Sequence, residues 1–142
     1  MNEEVIKLTY EVDGDDFVSC GRASEDVKRT LKSIGISGEI IRKVSIAMYE
    51  GEINMVIHAN GGVADVEISD SKIVIKLIDT GKGIADIEQA MQEGYSTATE
   101  AIRELGFGAG MGLPNMKKYS DHMQIDSIVG KGTTVTLEFN LA

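Results

Sequence analysis

A carboxylate and an amide one helical turn apart, Glu50 and Asn54, are the first residues whose types and spacing point to chemistry. On an ideal helix with Ile46 set at zero, Ile57 falls at about 20°, Glu50 at about 40°, Asn54 at about 80° and Ala47 at about 100°. Ile53 lies on the other side of Ile46, so both polar side chains sit inside the apolar arc rather than opposite it. An unpaired buried carboxylate is costly and calls for a partner, a metal ion or a changed protonation state. One reading gives Glu50 a lysine partner under a loop. The other aims a carboxylate and an amide into a pocket, with Gly51 clearing room for a close approach. His58 continues the stripe and reads as a packed helix-end residue.

Glycines gather downstream of this stripe: nine of the 16 in the chain fall between residues 81 and 132. Asp79-Thr80-Gly81-Lys82-Gly83-Ile84 follows an aliphatic run. A carboxylate at a buried strand end accepts hydrogen bonds from an amino group, and the glycines let a ligand lie against the backbone. Asp followed by Gly is also an ordinary turn. Gly106-Phe107-Gly108-Ala109-Gly110-Met111-Gly112-Leu113 precedes a helical stretch. Alternating glycines there turn several N–H groups toward one anion, and the helix dipole adds to their pull; a flexible hinge is the alternative. The register lacks the third glycine of a dinucleotide fingerprint, and no G-x-x-x-x-G-K-S/T loop is present, so both common phosphate-binding folds are disfavoured. Gly130-Lys131-Gly132-Thr133-Thr134 reads by itself as a hairpin turn.

Positioning these residues takes strands and helices in a definite order. Residues 5–12 alternate as an opening strand, Val5, Lys7 and Thr9 against Ile6, Leu8 and Tyr10. Asp15 and Asp16 are placed to cap a helix carrying Phe17, Val18, Val27, Leu31 and Ile34, which Gly35 ends. Ser37 starts a longer helix, with Glu39 in its first turn, reaching about His58 before Asn60-Gly61-Gly62 stops it. Strands follow over residues 63–69 and 72–79, the second nearly all β-branched or aliphatic as a central strand should be. A short helix is expected over 86–93. Residues 94–109 lack clean periodicity, beyond a turn or two of helix over 99–105. A helix over 111–120 holds Pro114 in its first turn, and strands over 123–129 and 133–141 close the domain. The expected fold is an α+β two-layer sandwich, a mixed, largely antiparallel sheet with helices on one face.

The composition bounds what such a fold serves. A length of 142 residues fits a single domain, 1–142, and 42% hydrophobic content is enough to bury a core. A net charge of −9 argues against a surface built to grip nucleic acid or anionic lipid. No apolar run approaches the roughly 18–20 residues of a membrane span, and Met1-Asn2-Glu3-Glu4 does not start a signal peptide. The single cysteine, Cys20, excludes an intramolecular disulfide and a Cys-cluster zinc site. The expected setting is cytoplasmic, with neither nucleic acid nor membrane as partner.

Taken in order, Glu50-x-x-x-Asn54, Asp79-x-Gly81-x-Gly83, Gly108-x-Gly110-x-Gly112-Leu113 and Gly130-x-Gly132-Thr133 resemble the GHKL ATPases. That superfamily includes type II topoisomerases, heat-shock chaperones, histidine kinases and mismatch-repair ATPases. The match spans residues 50–134, and its order and spacing make it far more specific than any one box. Within the superfamily the chain looks most like the anti-sigma-factor serine/threonine kinases of bacterial partner-switching systems. Glu93-Gly94-Tyr95-Ser96-Thr97, and Gly110-Met111-Gly112-Leu113-Pro114 followed by Lys117-Lys118, carry that closer likeness. The chain departs from the stress-response branch by extra residues, Ala98-Thr99-Glu100-Ala101-Ile102-Arg103-Glu104-Leu105, where those kinases have a shorter lid.

The resemblance implies a Bergerat, or histidine-kinase-like ATPase, fold and assigns roles. Glu50 is implied as the general base for an incoming serine or threonine hydroxyl, and Asn54 as the ligand of Mg²⁺. Asp79 accepts from the adenine amino group of ATP, Thr133 supports that contact through water, and Gly81 and Gly83 shape the adenine pocket. Gly108, Gly110, Met111 and Gly112 line the phosphates, and Arg103 in the lid reaches the γ-phosphate. The implied partners are a small antagonist protein as phosphorylation substrate and a sigma factor or other switch partner; a homodimer is left open. The alternative is a nucleotide-gated binding module with little kinase activity, and the retained Glu50 favours the kinase. Action on histidine is disfavoured, because the roughly 35 residues before the second helix leave no room for a phosphoacceptor helix. The topoisomerase, chaperone and mismatch-repair readings lack their second, transducing domain.

Overall fold

The computed structural model describes residues 5–14, 21–59, 61–81, 83–84, 87–91 and 112–141, leaving aside the side chains of Ile57, His58, Glu88 and Ala90. Along the chain these form β1 (Ile6–Asp13), α1 (Arg22–Ser33), α2 (Gly38–Ala59), β2 (Gly61–Ile68), β3 (Lys72–Asp79), α3 (Ile87–Ala90), α4 (Gly112–Tyr119), β4 (His122–Ile128) and β5 (Gly132–Asn140). The strands make one sheet in the order β1-β2-β3-β5-β4. The α+β sandwich is as expected, and each described pairing is antiparallel, so the sheet is more uniform than a mixed one.

Two-residue periodicity sets the core. Ile73, Ile75 and Leu77 of β3 and Val135, Leu137 and Phe139 of β5 are all buried. Side chains directly opposite each other share a face, so they stack into rungs across β3, β5 and β4: Leu77–Val135–Ile125 and Ile75–Leu137–Met123. At the end of β3 the same face carries a polar rung, Asp79–Thr133–Ser127. The apolar core thus ends where the chemistry-bearing strand end begins.

Local signals explain the helices. Ser37 caps α2, its Oγ accepting from the Ile40 N–H at 3.4 Å. The Gly35 N–H donates to Lys32 O and the Ile36 N–H to Leu31 O, the paired bonds that close α1 in a Schellman motif. The start of α1 differs from expectation. Arg22 is its first residue, and Gly21, at the N-cap, has no side chain to offer; residues 15–20, including Asp15, Asp16, Phe17 and Val18, lie outside the described ones. The residue that caps α1 is Glu52, from the middle of α2 and buried inside the fold.

The second difference is at β2. Gly61 and Gly62 pair with Asp13 and Val12 instead of merely stopping α2. A Cβ on Gly61 would lie 2.1 Å from Val12 O, so the missing side chain lets β2 pair with β1 two residues earlier than expected. Helix α2 packs on β2 and β3 with α1 and α4 against it. Glu50 and Glu52 point about 200° apart on this helix, which is why one reaches α4 and the other α1. Among the described residues no helix is long and apolar enough to cross a membrane.

Candidate functional site

Glu50 and Asn54 both project from α2 toward the head of α4. A Cβ built on Gly112 would stand 3.7 Å from Asn54 Oδ1 and 3.8 Å from Glu50 Oε2. Two side-chain oxygens therefore converge on a residue with no side chain of its own. Glu50 Oε1 is held separately, accepting from Asn115 Nδ2 at 3.3 Å. The partner inside the fold is thus an amide one turn into α4, and among the described residues no lysine makes that bond. Both Glu50 and Asn54 are half-buried, so they stay accessible from the α4 side. Gly51 clears room as expected, but for the protein itself: its missing side chain admits Leu77, whose Cδ1 would lie 2.2 Å from a Cβ there.

The second half of the site is the polar rung. Asp79 Oδ1 accepts from the Gly81 N–H at 2.9 Å and the Thr133 N–H at 3.2 Å. Two backbone donors on one carboxylate oxygen fix the side chain, and among the described residues Oδ2 accepts nothing. Ser127 Oγ takes the Ile84 N–H at 2.7 Å, donates to Gly132 O at 3.3 Å and lies 2.8 Å from Thr133 Oγ1. These bonds stitch the turn after β3 to β4 and β5. Gly81 packs so close to the end of α2 that a Cβ would lie 2.7 Å from that of Ala59, and a Cβ on Gly83 would lie 2.5 Å from Ile128 O. Asn54 and Ala59 are about 8 Å apart along the helix axis, so α2 carries the convergent oxygens and backs the Asp79 turn as one rigid rod.

Gly132 holds this rung closed. Its φ is +135°, and a Cβ would meet Asp79 O at 2.2 Å and Thr80 Cα at 2.8 Å. Backbone cannot yield as a side-chain end does. Gly132→Ala is expected to cost about 2–4 kcal/mol of stability, read as a lower urea midpoint at unchanged slope. An unchanged midpoint would mean that β5 reaches Asp79 less tightly than the geometry indicates.

The structure brings Glu50, Asn54 and Gly112 together, and separately Asp79, Gly81, Gly83 and Thr133. Arg103, Gly108, Gly110 and Met111 lie outside the described residues, as do Glu93 to Thr97 and the extra stretch from Ala98 to Leu105. Three participants escape a reading by local pattern. Asn115 is three residues past Gly112 on one helix, Ser127 faces Thr133 across the Gly130–Gly132 hairpin, and Glu52 lies on the opposite side of α2 from Glu50. Only hairpin register could have pointed to Ser127 beforehand.

Comparison with known proteins finds relatives of this chain. Residues 40–142 match the family described as histidine kinase-, DNA gyrase B- and HSP90-like ATPases. An anti-sigma F factor of Caldanaerobacter subterraneus is 38% identical over 104 residues, covering 70% of this chain and 69% of that protein. An anti-sigma F factor of Pasteuria penetrans is 35% identical and covers 84% of each. The serine/threonine-protein kinase RsbT of Bacillus subtilis is 30% identical over 112 residues, 76% of this chain and 78% of the other. A crystal structure of RsbU and RsbW domains from Mycobacterium tuberculosis superposes with a TM-score of 0.63 at 19% identity, over 96% of this chain and 32% of that one. That last likeness concerns the fold.

Proposed function

Because the chain belongs to the histidine kinase-, DNA gyrase B- and HSP90-like ATPase family, we propose that it is an ATP-dependent serine/threonine protein kinase of a bacterial partner-switching system, with a small antagonist protein as phosphoryl acceptor. The observation that carries the reading is the convergence of Glu50 Oε2 and Asn54 Oδ1 on Gly112 at the head of α4. A carboxylate with one oxygen tied by Asn115 and the other left toward an open glycine is arranged as a base with a fixed direction. A merely nucleotide-binding surface has no use for it.

In this reading the acceptor's hydroxyl oxygen forms its bond to the γ-phosphorus while Glu50 takes the hydroxyl proton. The bond from that phosphorus to the β-bridging oxygen breaks, and ADP leaves with the electron pair. Asn54 offers a neutral, hard amide oxygen beside the carboxylate, a donor set suited to Mg²⁺. When bound, Mg²⁺ neutralises charge on the phosphate oxygens. Gly112, with Gly108, Gly110 and Met111 before it, supplies backbone N–H groups to the phosphates at a helix N-terminus, and Arg103 reaches the γ-phosphate. Asp79 Oδ2 accepts from the adenine amino group, Thr133 supports it, and Gly81 and Gly83 shape the base pocket. A sigma factor or other switch partner, a single domain over 1–142 and a cytoplasmic setting belong to the same proposal.

The test is to incubate the chain with Mg²⁺, γ-labelled ATP and a panel of small antagonist proteins. Label on a serine or threonine is expected. Nucleotide binding with no transfer to any of them would replace the kinase by a nucleotide-gated binding module.

Asp79→Asn probes the other half. Asparagine keeps Oδ1 to accept from Gly81 and Thr133 but turns the open acceptor into a donor, so the fold should hold while the amino-group contact fails. ATP affinity by calorimetry is expected to fall about 10–100-fold, the worth of a hydrogen bond to a charged group. Affinity equal to wild type would remove Asp79 from the base pocket.

A further inference from the structure

Lys117 and Lys118 take no part in the proposed chemistry, yet they do not stand alone. Helix α4 runs back along α2. Gly112 lies beside Asn54 and Glu50, Asn115 Nδ2 reaches Glu50 Oε1, and Tyr119 meets Arg42, two turns earlier on α2 than Glu50. The Tyr119 ring is half-buried against the core and carries two cations, the Arg42 guanidinium carbon 5.8 Å from its centroid and Lys118 Nζ 5.3 Å. Lys117 is exposed next to Lys118. Among the described residues none of these three cations makes an ion pair. The neighbouring acids are already engaged: Glu39 pairs with Lys43 at 3.6 Å, and Asp121 accepts from the Asn140 N–H at 2.7 Å. The dipole of α4 favours lysines in its last turn. It does not account for Arg42, which stands in the second turn of α2, toward the positive end of that helix.

We propose that Arg42, Lys117 and Lys118, gathered around Tyr119, form a docking patch for an acidic surface of the protein that receives the phosphoryl group. The proposal rests on the kinase reading and adds to it the chemistry of the partner. Distance ties the patch to the site. Seven residues of helical rise separate Gly112 from Tyr119, about 10 Å, and eight separate Glu50 from Arg42, about 12 Å. A specific protein interface covers about 800 Å² on each side, roughly 30 Å across, so a protein seated over Glu50 extends over Tyr119. Charge supplies the second argument. A chain of net charge −9 repels an acidic protein at long range, and exposed, unpaired cations reverse that locally. Two of the three are already held against a ring, so less side-chain freedom is lost on contact. A nucleotide phosphate suits the place poorly. The patch lies at the C-terminal end of α4, whereas phosphates are drawn to a helix N-terminus.

The test compares the full chain with the neutral triple variant Arg42→Gln/Lys117→Gln/Lys118→Gln. The probe is the antagonist protein of the panel above that binds the wild-type chain most tightly. Its affinity for the variant, by titration calorimetry, is expected to fall about tenfold. In phosphoryl transfer KM should rise by the same factor while kcat stays within about twofold of wild type, because exposed charges act on encounter and binding rather than on the chemical step. Raising salt from about 50 to 300 mM should weaken the wild-type complex and barely move that of the variant. ATP affinity should match wild type. Unchanged antagonist affinity and KM in the variant overturn the docking patch and leave the kinase reading intact. A parallel fall in ATP affinity also overturns it, because the cations then serve the nucleotide. Antagonist binding that weakens in the variant, from a wild-type chain that transfers no phosphoryl group, keeps the acidic partner and overturns the kinase reading. A wild-type chain that binds no antagonist overturns both.

Discussion

Glu50→Gln is expected to reduce phosphoryl transfer to an antagonist protein by about 10²–10⁴-fold, the range a positioned general base supplies. Glutamine preserves size and leaves an oxygen to accept from Asn115 Nδ2, which Glu50 Oε1 now accepts at 3.3 Å. The contact between α2 and α4 should survive, and with it the approach of Gly112 to Asn54. What is lost is the one atom able to take a proton, at the Oε2 position 3.8 Å from the Gly112 Cβ site. Nucleotide affinity should therefore stay within about threefold of wild type while the single-turnover rate falls, a split that marks a group acting in the transition state. Transfer undiminished in Glu50→Gln would strip the base role from this residue. A parallel loss of nucleotide affinity and rate would make it part of the binding surface instead.

That this carboxylate could be singled out from sequence follows from where helical periodicity puts it. A polar residue inside an apolar arc is a conflict that local rules register, and α2 is long enough for the arc to be clear. Central strand β3, the Ser37 cap and the Gly35 stop were legible for the same reason, since each is decided within a few residues. The partners were not. Asn115 reaches Glu50 across 65 residues of chain, Ile84 meets Ser127 across 43, and Glu52 binds Gly21 across 31. Such pairs depend on sheet order and helix docking, which no local period encodes. The lysine partner that one of the two readings gave Glu50 illustrates this: local pattern demanded a donor, and only the docking of α4 supplied its identity as Asn115. At Gly61 the expected helix stop holds, α2 ending at Ala59, and the glycine does more besides. Local pattern marked the stop, while the approach of Val12 O, which makes the same glycine the first residue of β2, depends on the docking of β1.

Glu52→Ala should cost the fold heavily although it lies away from the proposed chemistry. The carboxylate is 2% exposed, with Oε2 accepting from the Gly21 N–H at 2.9 Å and Oε1 from the Ser24 N–H at 2.6 Å. Those are the N-cap and third-residue donors of α1, the pair that a capping box satisfies, here served by one side chain from another helix. The negative charge also lies at the positive end of the α1 dipole. A second tie runs beside it. Tyr10 of β1 donates to Asp26 of α1, and its phenol is pushed well above its usual range, by burial first and then by Asp26 and Glu52, so it stays a neutral donor. Alanine at position 52 would leave two buried N–H groups without an acceptor and a void where the side chain was. At roughly 1–3 kcal/mol for each stranded donor, a loss of about 3 kcal/mol is expected. For a domain of this size that is a fall of about 10 °C in Tm. Glu52→Gln keeps the volume and one acceptor and should lose about half as much. Because Glu52 points away from Glu50 around α2, nucleotide affinity of the folded Glu52→Ala chain at low temperature should match wild type. A Tm within about 2 °C of wild type would mean that α1 does not depend on this cap. Preserved stability with lost nucleotide affinity would instead place Glu52 in the site from which its geometry separates it.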